Sequence, residues 1–460
     1  MTRMDSAATA DYVVVGAGAA GMAFTDALVD RADVRVVLVD RRHGAGGHWL
    51  DAYPFVRLHQ ASVFYGVAST LLGGGRTQQS GPEAGLQERA SAPEVSAYYD
   101  RVLHERLLAS GRVEFLPGCE YVGEGRVVSR VSGRVYRVGG RVVDARYLSP
   151  VIPAESPAPF EVGEGATVVP PNDLVHLADA PSEYVVVGSG KTATDVCIWL
   201  LDNGVEPDDI VWVRPRDPWM LNRAVVQPDP AVALGLWADI VRAAADAASV
   251  EDMFLRLEAA GVMLRIDEGV PATMARTPTL AGWELARLRT VERVVRLGHL
   301  RRAERGRLLL DGGAVSVADD AVVVHAAAPG LPVRLPVPIW GDDAITVQPV
   351  RAGFPCFGAA LIGHVEATVD GDERKNRICL PSVYADTLPQ WARLQTLGYR
   401  AVQAFSAAPD VRAWAEGLAL NPARVPPGGL TGPRVDEALE RVNRSQGPGM
   451  ARMAQFAAMA

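Results

Sequence analysis

Residues 12–22 read YVVVGAGAAGM, and residues 184–194 repeat almost the same phrase as YVVVGSGKTAT. Each copy starts with a short β-branched run, which is typical of a buried parallel strand, and passes directly into a glycine turn. A helix-like segment follows in both places, MAFTDALVD in the first and TDVCIWLLDNG in the second. The sequence therefore predicts two strand–turn–helix units of one design in a single chain.

The first unit has the spacing G-x-G-x-x-G, with glycines at 16, 18 and 21. In this pattern the first glycine allows the turn, the second lets the backbone approach a pyrophosphate, and the third lets the helix lie close to the strand. The next strand, VRVVLVD, ends in an acid at the position that binds ribose hydroxyls. We predict a dinucleotide site formed by Gly16, Gly18, Ala19, Ala20, Gly21, Asp40 and Arg41.

The second unit places alanine at the third glycine position, and its second strand, DIVWVR, ends in Arg214 instead of an acid. A guanidinium can bind a 2′-phosphate with two hydrogen bonds, so this unit favours NADPH. The letters GKT do not form a P-loop, because the four residues required before Gly-Lys are strand residues. The predicted residues are Gly188, Ser189, Gly190, Lys191, Thr192, Ala193, Arg214 and Arg216.

Two dinucleotide units in one chain resemble the two-dinucleotide-binding-domain flavoproteins. The segment Gly46-Gly47-His48-Trp49 resembles the G-G-x-W segment of the class B flavoprotein monooxygenases, which include the flavin-containing, N-hydroxylating and Baeyer–Villiger groups. The resemblance implies FAD in the first unit and NADPH in the second. It further implies that reduced flavin reacts with dioxygen to a C4a-(hydro)peroxyflavin, which passes one oxygen atom to a small organic substrate.

For this chain the resemblance places Gly47, His48 and Trp49 beside the flavin, because paired glycines allow close backbone approach and an indole can exclude water. The polar run that follows would lie toward the active site. The catalytic candidates are His48, Arg57, His59 and Gln60.

The chain departs from one signature of these monooxygenases. An F-x-G-x-x-x-H segment precedes the second glycine turn in those monooxygenases, whereas TVVPPNDLVHLADAPSEYVVVGSG keeps only His176. This departure supports an alternative, an FAD- and NAD(P)H-dependent reductase or dehydrogenase of a biosynthetic intermediate. A non-catalytic flavin-binding protein is the third hypothesis.

The predicted fold class is α/β, with two Rossmann-like domains, a β-meander and a helical insertion. We expect the FAD domain to take residues 1–180, the NADPH domain 181–328, and a second part of the FAD domain with C-terminal helices 329–460. The meander is expected within 126–148 and the insertion at about 232–305. LLLDGGAVSV, at 308–317, predicts a hairpin, and AVVVHAAAPG, at 321–330, a buried strand.

Composition excludes several classes of function for this chain of 460 residues. A formal charge of −8 argues against a nucleic-acid partner, and no apolar run is long enough to predict a membrane helix. Four scattered cysteines form neither a dithiol nor a zinc motif, so we expect no metal site. The start lacks the order of a secretory signal, which predicts a cytoplasmic protein. A homo-oligomer is left open.

Overall fold

The computed structural model describes residues 5–8, 10–351 and 353–460. Its strands are β1 (Asp5–Ala8), β2 (Tyr12–Val15), β3 (Val36–Val39), β4 (Val113–Leu116), β5 (Cys119–Tyr121), β6 (Arg126–Ser129), β7 (Val135–Val138), β8 (Arg141–Asp144), β9 (Glu161–Val162), β10 (Thr167–Val169), β11 (Tyr184–Val187), β12 (Ile210–Val213), β13 (Asp217–Asn222), β14 (Met263–Arg265), β15 (Ala272–Met274), β16 (Thr279–Leu280), β17 (Val294–Val295), β18 (Leu300–Glu304), β19 (Arg307–Leu310), β20 (Gly313–Ser316), β21 (Val322–His325) and β22 (Ile345–Thr346). Its α-helices are α1 (Ala19–Arg31), α2 (Ala92–Arg101), α3 (Lys191–Asp202), α4 (Pro230–Asp246), α5 (Val250–Ala259), α6 (Gly282–Leu288), α7 (Pro355–Thr368), α8 (Asp372–Ile378), α9 (Leu388–Ser406), α10 (Pro409–Gly417) and α11 (Pro433–Ala457).

The first parallel sheet has the strand order β22-β8-β2-β3-β4. Its central strands are buried on both faces, as their continuous Val and Leu content predicts. Helices α1 and α7 belong to the core cluster that includes Val14 and Leu38. Val13, Val15 and the β5–β6–β7 sheet form the core on the opposite face. The α/β fold class predicted from the glycine units is confirmed.

The predicted meander within residues 126–148 is only partly correct. Strands β5, β6 and β7 pair antiparallel in sequence order, but the last predicted strand, β8, leaves them and pairs parallel with β2. Val143, at the middle of β8, is fully buried in the main core. Its apolar side chain therefore packs against the parallel sheet's core and not in the meander.

The second parallel sheet has the order β10-β21-β11-β12-β17. Helix α3 packs on one face, and the sheet β20-β19-β18-β9 covers the other. The predicted hairpin is present as β19 and β20, and the predicted buried strand as β21. Strands β9 and β10 join this domain's sheets although they precede residue 181.

The expected helical insertion is helical only in part. Helices α4, α5 and α6 fall within 232–305 or overlap it, but β14 to β18 occupy much of the region between and after them. The helical prediction for residues 289–305 is wrong, because Val294 and Val295 pair with β12 of the second parallel sheet. Helices α4 and α5 share a core with the C-terminal helices α9 and α11.

Two negative findings apply to the residues described. Within them, no helix is both long and apolar enough to cross a membrane. Across the same residues, no group of His, Cys, Asp and Glu side chains is arranged to hold a metal ion. All four cysteines are free and buried, in agreement with their interpretation as small apolar side chains.

Candidate functional site

The first glycine turn connects β2 to α1 in a conformation that requires glycine. Gly16 has φ +106° and donates its N–H to the Val39 carbonyl at 2.8 Å. A Cβ on Gly21 would overlap the carbonyl oxygen of Gly16. The N-cap of α1 is Gly18, and neither a capping side chain nor an acidic residue is present in its first turn. Free N–H groups at a helix N-terminus form an anion-binding site, so this turn fits a pyrophosphate.

Asp40 lies beside this turn at the end of β3. Its carboxylate accepts from the N–H groups of Ala17, at 2.7 Å, and Arg42, at 2.8 Å. The carboxylate is thereby fixed at the carboxyl edge of the sheet, where a ribose would lie against the turn. Arg41 is exposed and pairs with Glu155 at 2.8 Å.

The paired glycines pack directly on the first turn. Gly46 donates its N–H to the Ala17 carbonyl at 2.9 Å, and a Cβ on Gly47 would lie 2.9 Å from the Gly18 Cα. Since Gly47 also has φ +61°, glycine is required here both for space and for conformation. The structure therefore brings the G-G-H-W segment to the predicted dinucleotide turn.

Trp49 is held rigidly behind these glycines. Its indole N–H donates to the Tyr65 hydroxyl at 2.6 Å, and the two rings meet edge to face with centroids 5.8 Å apart. The His48 ring lies next to the indole, with centroids 5.4 Å apart. An aromatic wall thus flanks the first glycine turn.

The second glycine turn has the same design. Gly188 has φ +138°, and a Cβ there would lie 2.7 Å from the Ala326 carbonyl oxygen. Helix α3 begins after Gly190 with no capping side chain and no acid in its first turn. Lys191, the first helical residue, is buried and forms ion pairs with Asp195 and, at 3.8 Å, with Glu284. Seven residues of the two turns remain partly exposed: Gly16, Gly18, Ala19, Ala20, Ser189, Gly190 and Thr192.

The two predicted phosphate-binding arginines differ sharply in exposure. Arg214 is 1% exposed, pairs with Asp217 at 2.9 Å and lies over the Trp212 ring. Its Nε and Nη1 are buried without a partner among the described residues. The Arg216 side chain is 37% exposed and pairs with Asp386 at 2.9 Å. Only Arg216 therefore presents its guanidinium to solvent.

The segment after Trp49 connects the first turn to the second. Tyr53 donates its hydroxyl to Asp195 of α3 at 2.7 Å, and Phe55 stacks on Trp199 of the same helix with centroids 4.8 Å apart. His59 continues this contact, because its carbonyl accepts from Arg223 at 3.0 Å. Residues 46–59 thus span the distance between the two glycine turns.

A buried ion-pair network lies at this junction. Arg223, 1% exposed, pairs with Glu83 of the first domain and with Glu284, at 2.7 Å, of the second. Arg89 also binds Glu83, at 2.7 Å. Burial alone would raise the pKa of Glu83, but the hydrogen bond from Arg89 and the charge of Arg223 lower it to about 2. Glu83 is therefore ionised throughout the physiological pH range.

Four titratable side chains in this region are partly exposed and make no hydrogen bond or ion pair with the described residues. Burial is the leading cause of each pKa shift: it lowers the pKa of His48 to about 4, of His59 to about 3 and of Arg351 to about 10, and raises that of Tyr384. Perturbed groups without protein partners cluster at functional sites.

The remaining candidates are placed as follows. Arg57 is exposed on the outer surface, where it donates to the Arg89 carbonyl, so it is not brought together with His48 and His59. Gln60 is partly buried and donates to the Gly353 carbonyl at 3.1 Å. His176 is exposed at the end of a short 3₁₀ helix.

Sequence reasoning did not identify four residues of this region as members of the site: Arg223, Glu83, Arg351 and Tyr384. Glu83 lies in a long loop and Arg223 begins a short 3₁₀ helix directly after β13, and no spacing in the sequence connects them. Arg351 had a usable signal, since it lies between a strand and a helix of small residues in a segment that returns to the first domain.

Comparison with known proteins identifies relatives over most of the chain. The family model described as an NAD(P)-binding Rossmann-like domain matches residues 14–73. The uncharacterized protein Rv2000 of Mycobacterium tuberculosis (strain ATCC 25618 / H37Rv) is 42% identical over 416 residues, which cover 89% of this chain and 77% of that protein. Uncharacterized protein Mb2023 of Mycobacterium bovis matches to the same extent. The chain belongs to this mycobacterial family.

Solved structures show which fold the family shares. The ε-caprolactone-bound cyclohexanone monooxygenase in its Loose conformation has a TM-score of 0.52 and 16% identity, covering 88% of this chain and 99% of that one. The cyclohexanone monooxygenase from Rhodococcus sp. Phi1 bound to NADP⁺ has a TM-score of 0.50 and 16% identity, with 88% and 99% coverage. The chain thus shares the fold of these cyclohexanone monooxygenases, which confirms the fold that the resemblance implied.

Proposed function

We propose that this protein is a single-component FAD- and NADPH-dependent monooxygenase that acts on a small organic substrate. The observation that carries the proposal is the path of residues 46–59, which contact the first glycine turn at one end and α3 of the second at the other. A flavin and a nicotinamide bound at the two turns would meet along this segment. The structural neighbours support the reading, since one of them carries NADP⁺ in the same fold.

The residues around the first turn fit FAD. The uncapped N-terminus of α1 offers backbone N–H groups to a pyrophosphate, and Asp40 offers a carboxylate to a ribose. Gly47 leaves room for close approach, and Trp49 shields one side. When bound, the flavin supplies the hydride and oxygen chemistry, while these side chains bind it, orient it and exclude water.

For the second turn we propose NADPH, with Arg216 as the 2′-phosphate ligand. A fully buried guanidinium such as that of Arg214 cannot reach a phosphate without displacing Trp212 or Asp217. Arg216 lies two residues further on, is partly exposed, and can exchange its pair with Asp386 for a phosphate. Arg216→Ala is expected to raise the Kd of NADPH by tenfold or more and to leave that of NADH nearly unchanged. Equal losses for both cofactors would contradict this role.

The test of the reaction class is anaerobic reduction of the purified flavin-bound protein by NADPH, followed by mixing with oxygenated buffer. A transient spectrum that belongs to neither the oxidised nor the reduced flavin would support the monooxygenase. Direct return to the oxidised spectrum, with and without substrate, would support the reductase or dehydrogenase. No bleaching by NADPH would support the non-catalytic reading.

The reductase or dehydrogenase remains the second candidate because of a specific observation. The chain lacks the phenylalanine and glycine of the F-x-G-x-x-x-H signature, and His176 lies exposed on the surface. Under either reading the ligands are small molecules, with dioxygen added for the monooxygenase, and the cytoplasm supplies the reduced nicotinamide.

A further inference from the structure

Arg351 is a cation for which the described residues provide no acidic partner. The pKa of three arginines among these residues, Arg214, Arg223 and Arg351, is lowered, with burial as the leading cause. The first two are compensated, by Asp217 at 2.9 Å and by Glu284 at 2.7 Å. Arg351 has no acidic partner within the described ranges 5–8, 10–351 and 353–460; its guanidinium lies over the Phe354 ring, 6.0 Å from the centroid. Since a desolvated charge without a partner is costly, a ligand is expected to supply the missing anion.

The position of Arg351 in the sheet indicates which ligand lies there. The strand order is β22-β8-β2-β3-β4, the first glycine turn follows β2, and Asp40 follows β3. If Asp40 binds the adenosine ribose, the flavin half of FAD must extend to the opposite side of β2, toward β8 and β22. Arg351 follows β22 by a short loop. This step rests on the proposed function, and it places Arg351 at the flavin end of the predicted dinucleotide site.

The neighbours of Arg351 suit a ligand that carries a carboxylate group on an apolar molecule. Phe64 packs edge to face on Phe354, with centroids 5.1 Å apart, and forms an aromatic wall. Gln60, which donates to the Gly353 carbonyl, places an amide beside that wall. Guanidinium binds planar carboxylates with two parallel hydrogen bonds, and aromatic rings cover the rest of such a ligand.

We propose that Arg351 binds an anionic oxygen of a ligand beside the ring pair of Phe64 and Phe354, and that the substrate is accordingly an organic carboxylate. The pyrimidine edge of the flavin is the other source of such an oxygen. The two sources predict different effects of the same substitution, so they are separable in experiment.

The first measurement is the melting temperature of the purified protein as a function of acetate and benzoate, with acetamide and benzamide as uncharged matches. A ligand that binds the native state raises its stability in proportion to RT ln(1 + [L]/Kd). The carboxylates, and not the amides, are expected to raise the melting temperature of the wild type with saturation. Arg351→Gln is expected to weaken this binding at least tenfold, Arg351→Lys less so. The exposed Arg400→Gln serves as control and leaves binding unchanged.

The second measurement is the midpoint potential of the bound flavin in the same variants. If the anionic oxygen belongs to the flavin, a tenfold loss of stabilisation in Arg351→Gln lowers the potential by about 30 mV for two electrons, and carboxylates do not bind in an Arg351-dependent way. That result would overturn the substrate assignment. Unchanged potential together with unchanged carboxylate binding would overturn the anion site itself.

The outcomes separate this inference from the proposed function. If the purified protein holds no flavin but carboxylate binding still depends on Arg351, the anion site stands and the flavoprotein proposal fails. If Arg351→Gln does not fold, Arg351→Lys, which keeps the charge but loses the bidentate geometry, carries the comparison.

Discussion

At the residue scale, the two glycine turns place demands that no other side chain meets. Gly21 is the clearest case, because a Cβ there would overlap the Gly16 carbonyl oxygen. We predict that Gly21→Ala lowers the free energy of unfolding by several kcal/mol, about the upper range of overpacking in a core, and abolishes flavin binding. The measurements are denaturant unfolding and the ratio of flavin to protein absorbance. Gly139→Ala is the control, since a Cβ there meets nothing within 4 Å and the residue has no positive φ.

His59 predicts a pH dependence of stability with a definite sign. Its pKa is about 3 in the folded protein because of burial, with the charges of Lys191 and Arg223 adding to the effect, and about 6.5 in an unfolded chain. Below pH 6.5 protons therefore bind the unfolded chain first, so stability falls as the pH drops from 6.5 toward 3. His59→Gln is expected to reduce the loss of unfolding free energy between pH 7.5 and 5.5 by about 1 kcal/mol. Glu83 does not contribute in this window, because its pKa is lowered from an already lower value.

The control for this titration is His176→Gln, which replaces an exposed histidine. The interpretation would be wrong if His59→Gln and the wild type lost stability in parallel over the whole pH range.

At the element scale, the C-terminal helix α11 owes its position to one glycine. A Cβ on Gly449 would overlap the backbone of Val241 in α4, whereas a Cβ on Gly447, in the same helix, meets nothing within 4 Å. We predict that Gly449→Ala destabilises the protein by about 2 kcal/mol or more through separation of the two helices. Gly447 precedes Pro448, which disfavours a Cβ in helical conformation, so the control is Gly235 inside α4, where a Cβ likewise meets nothing within 4 Å. Gly235→Ala is expected to be neutral or to stabilise by about 0.5–1 kcal/mol, because alanine has the higher helix propensity. Thermal unfolding of both variants checks the pair, and equal changes would contradict the packing argument.

Element-level prediction from sequence succeeded where the signal was local. Both glycine turns, Asp40 and the hairpin of β19 and β20 follow from short patterns, because strand, turn and helix N-terminus are contiguous in the chain. Arg214 shows a signal that was present but misread. Residues two apart in an extended segment share a face, so Arg214 falls on the same side as Trp212, which packs in the core beneath α3. Arg216 lies three residues beyond the end of β12 at Val213, where the strand alternation no longer applies.

At the scale of the whole molecule, the two nucleotide domains are joined by charges that the sequence did not reveal. Arg223 and Glu83 are 140 positions apart, and no periodicity or motif relates two residues at that distance. Their pairing depends on how the domains pack, and the contacts that Tyr53 and Phe55 make with α3 hold that arrangement. The proposed anion site at Arg351 has the same origin, since Gln60 and Phe64 reach the loop of Gly353 and Phe354 from a distant part of the chain.

The junction gives the last prediction. Arg223→Met leaves Glu83 and Glu284 buried without their shared cation, and breaking a buried pair on one side costs about 3–5 kcal/mol. Because the carboxylates belong to different domains, we expect their repulsion to loosen the junction and slow flavin reduction by NADPH, in addition to lowering the unfolding temperature. Differential scanning calorimetry and anaerobic stopped-flow reduction measure the two effects. The matched control is Arg287→Met, which removes a largely exposed pair with Asp202 at 3.3 Å and is expected to cost at most about 1 kcal/mol. If the junction contributes only packing, Arg223→Met will lower the unfolding temperature no more than Arg287→Met does. Flavin reduction by NADPH will then proceed at the wild-type rate, and the prediction is wrong.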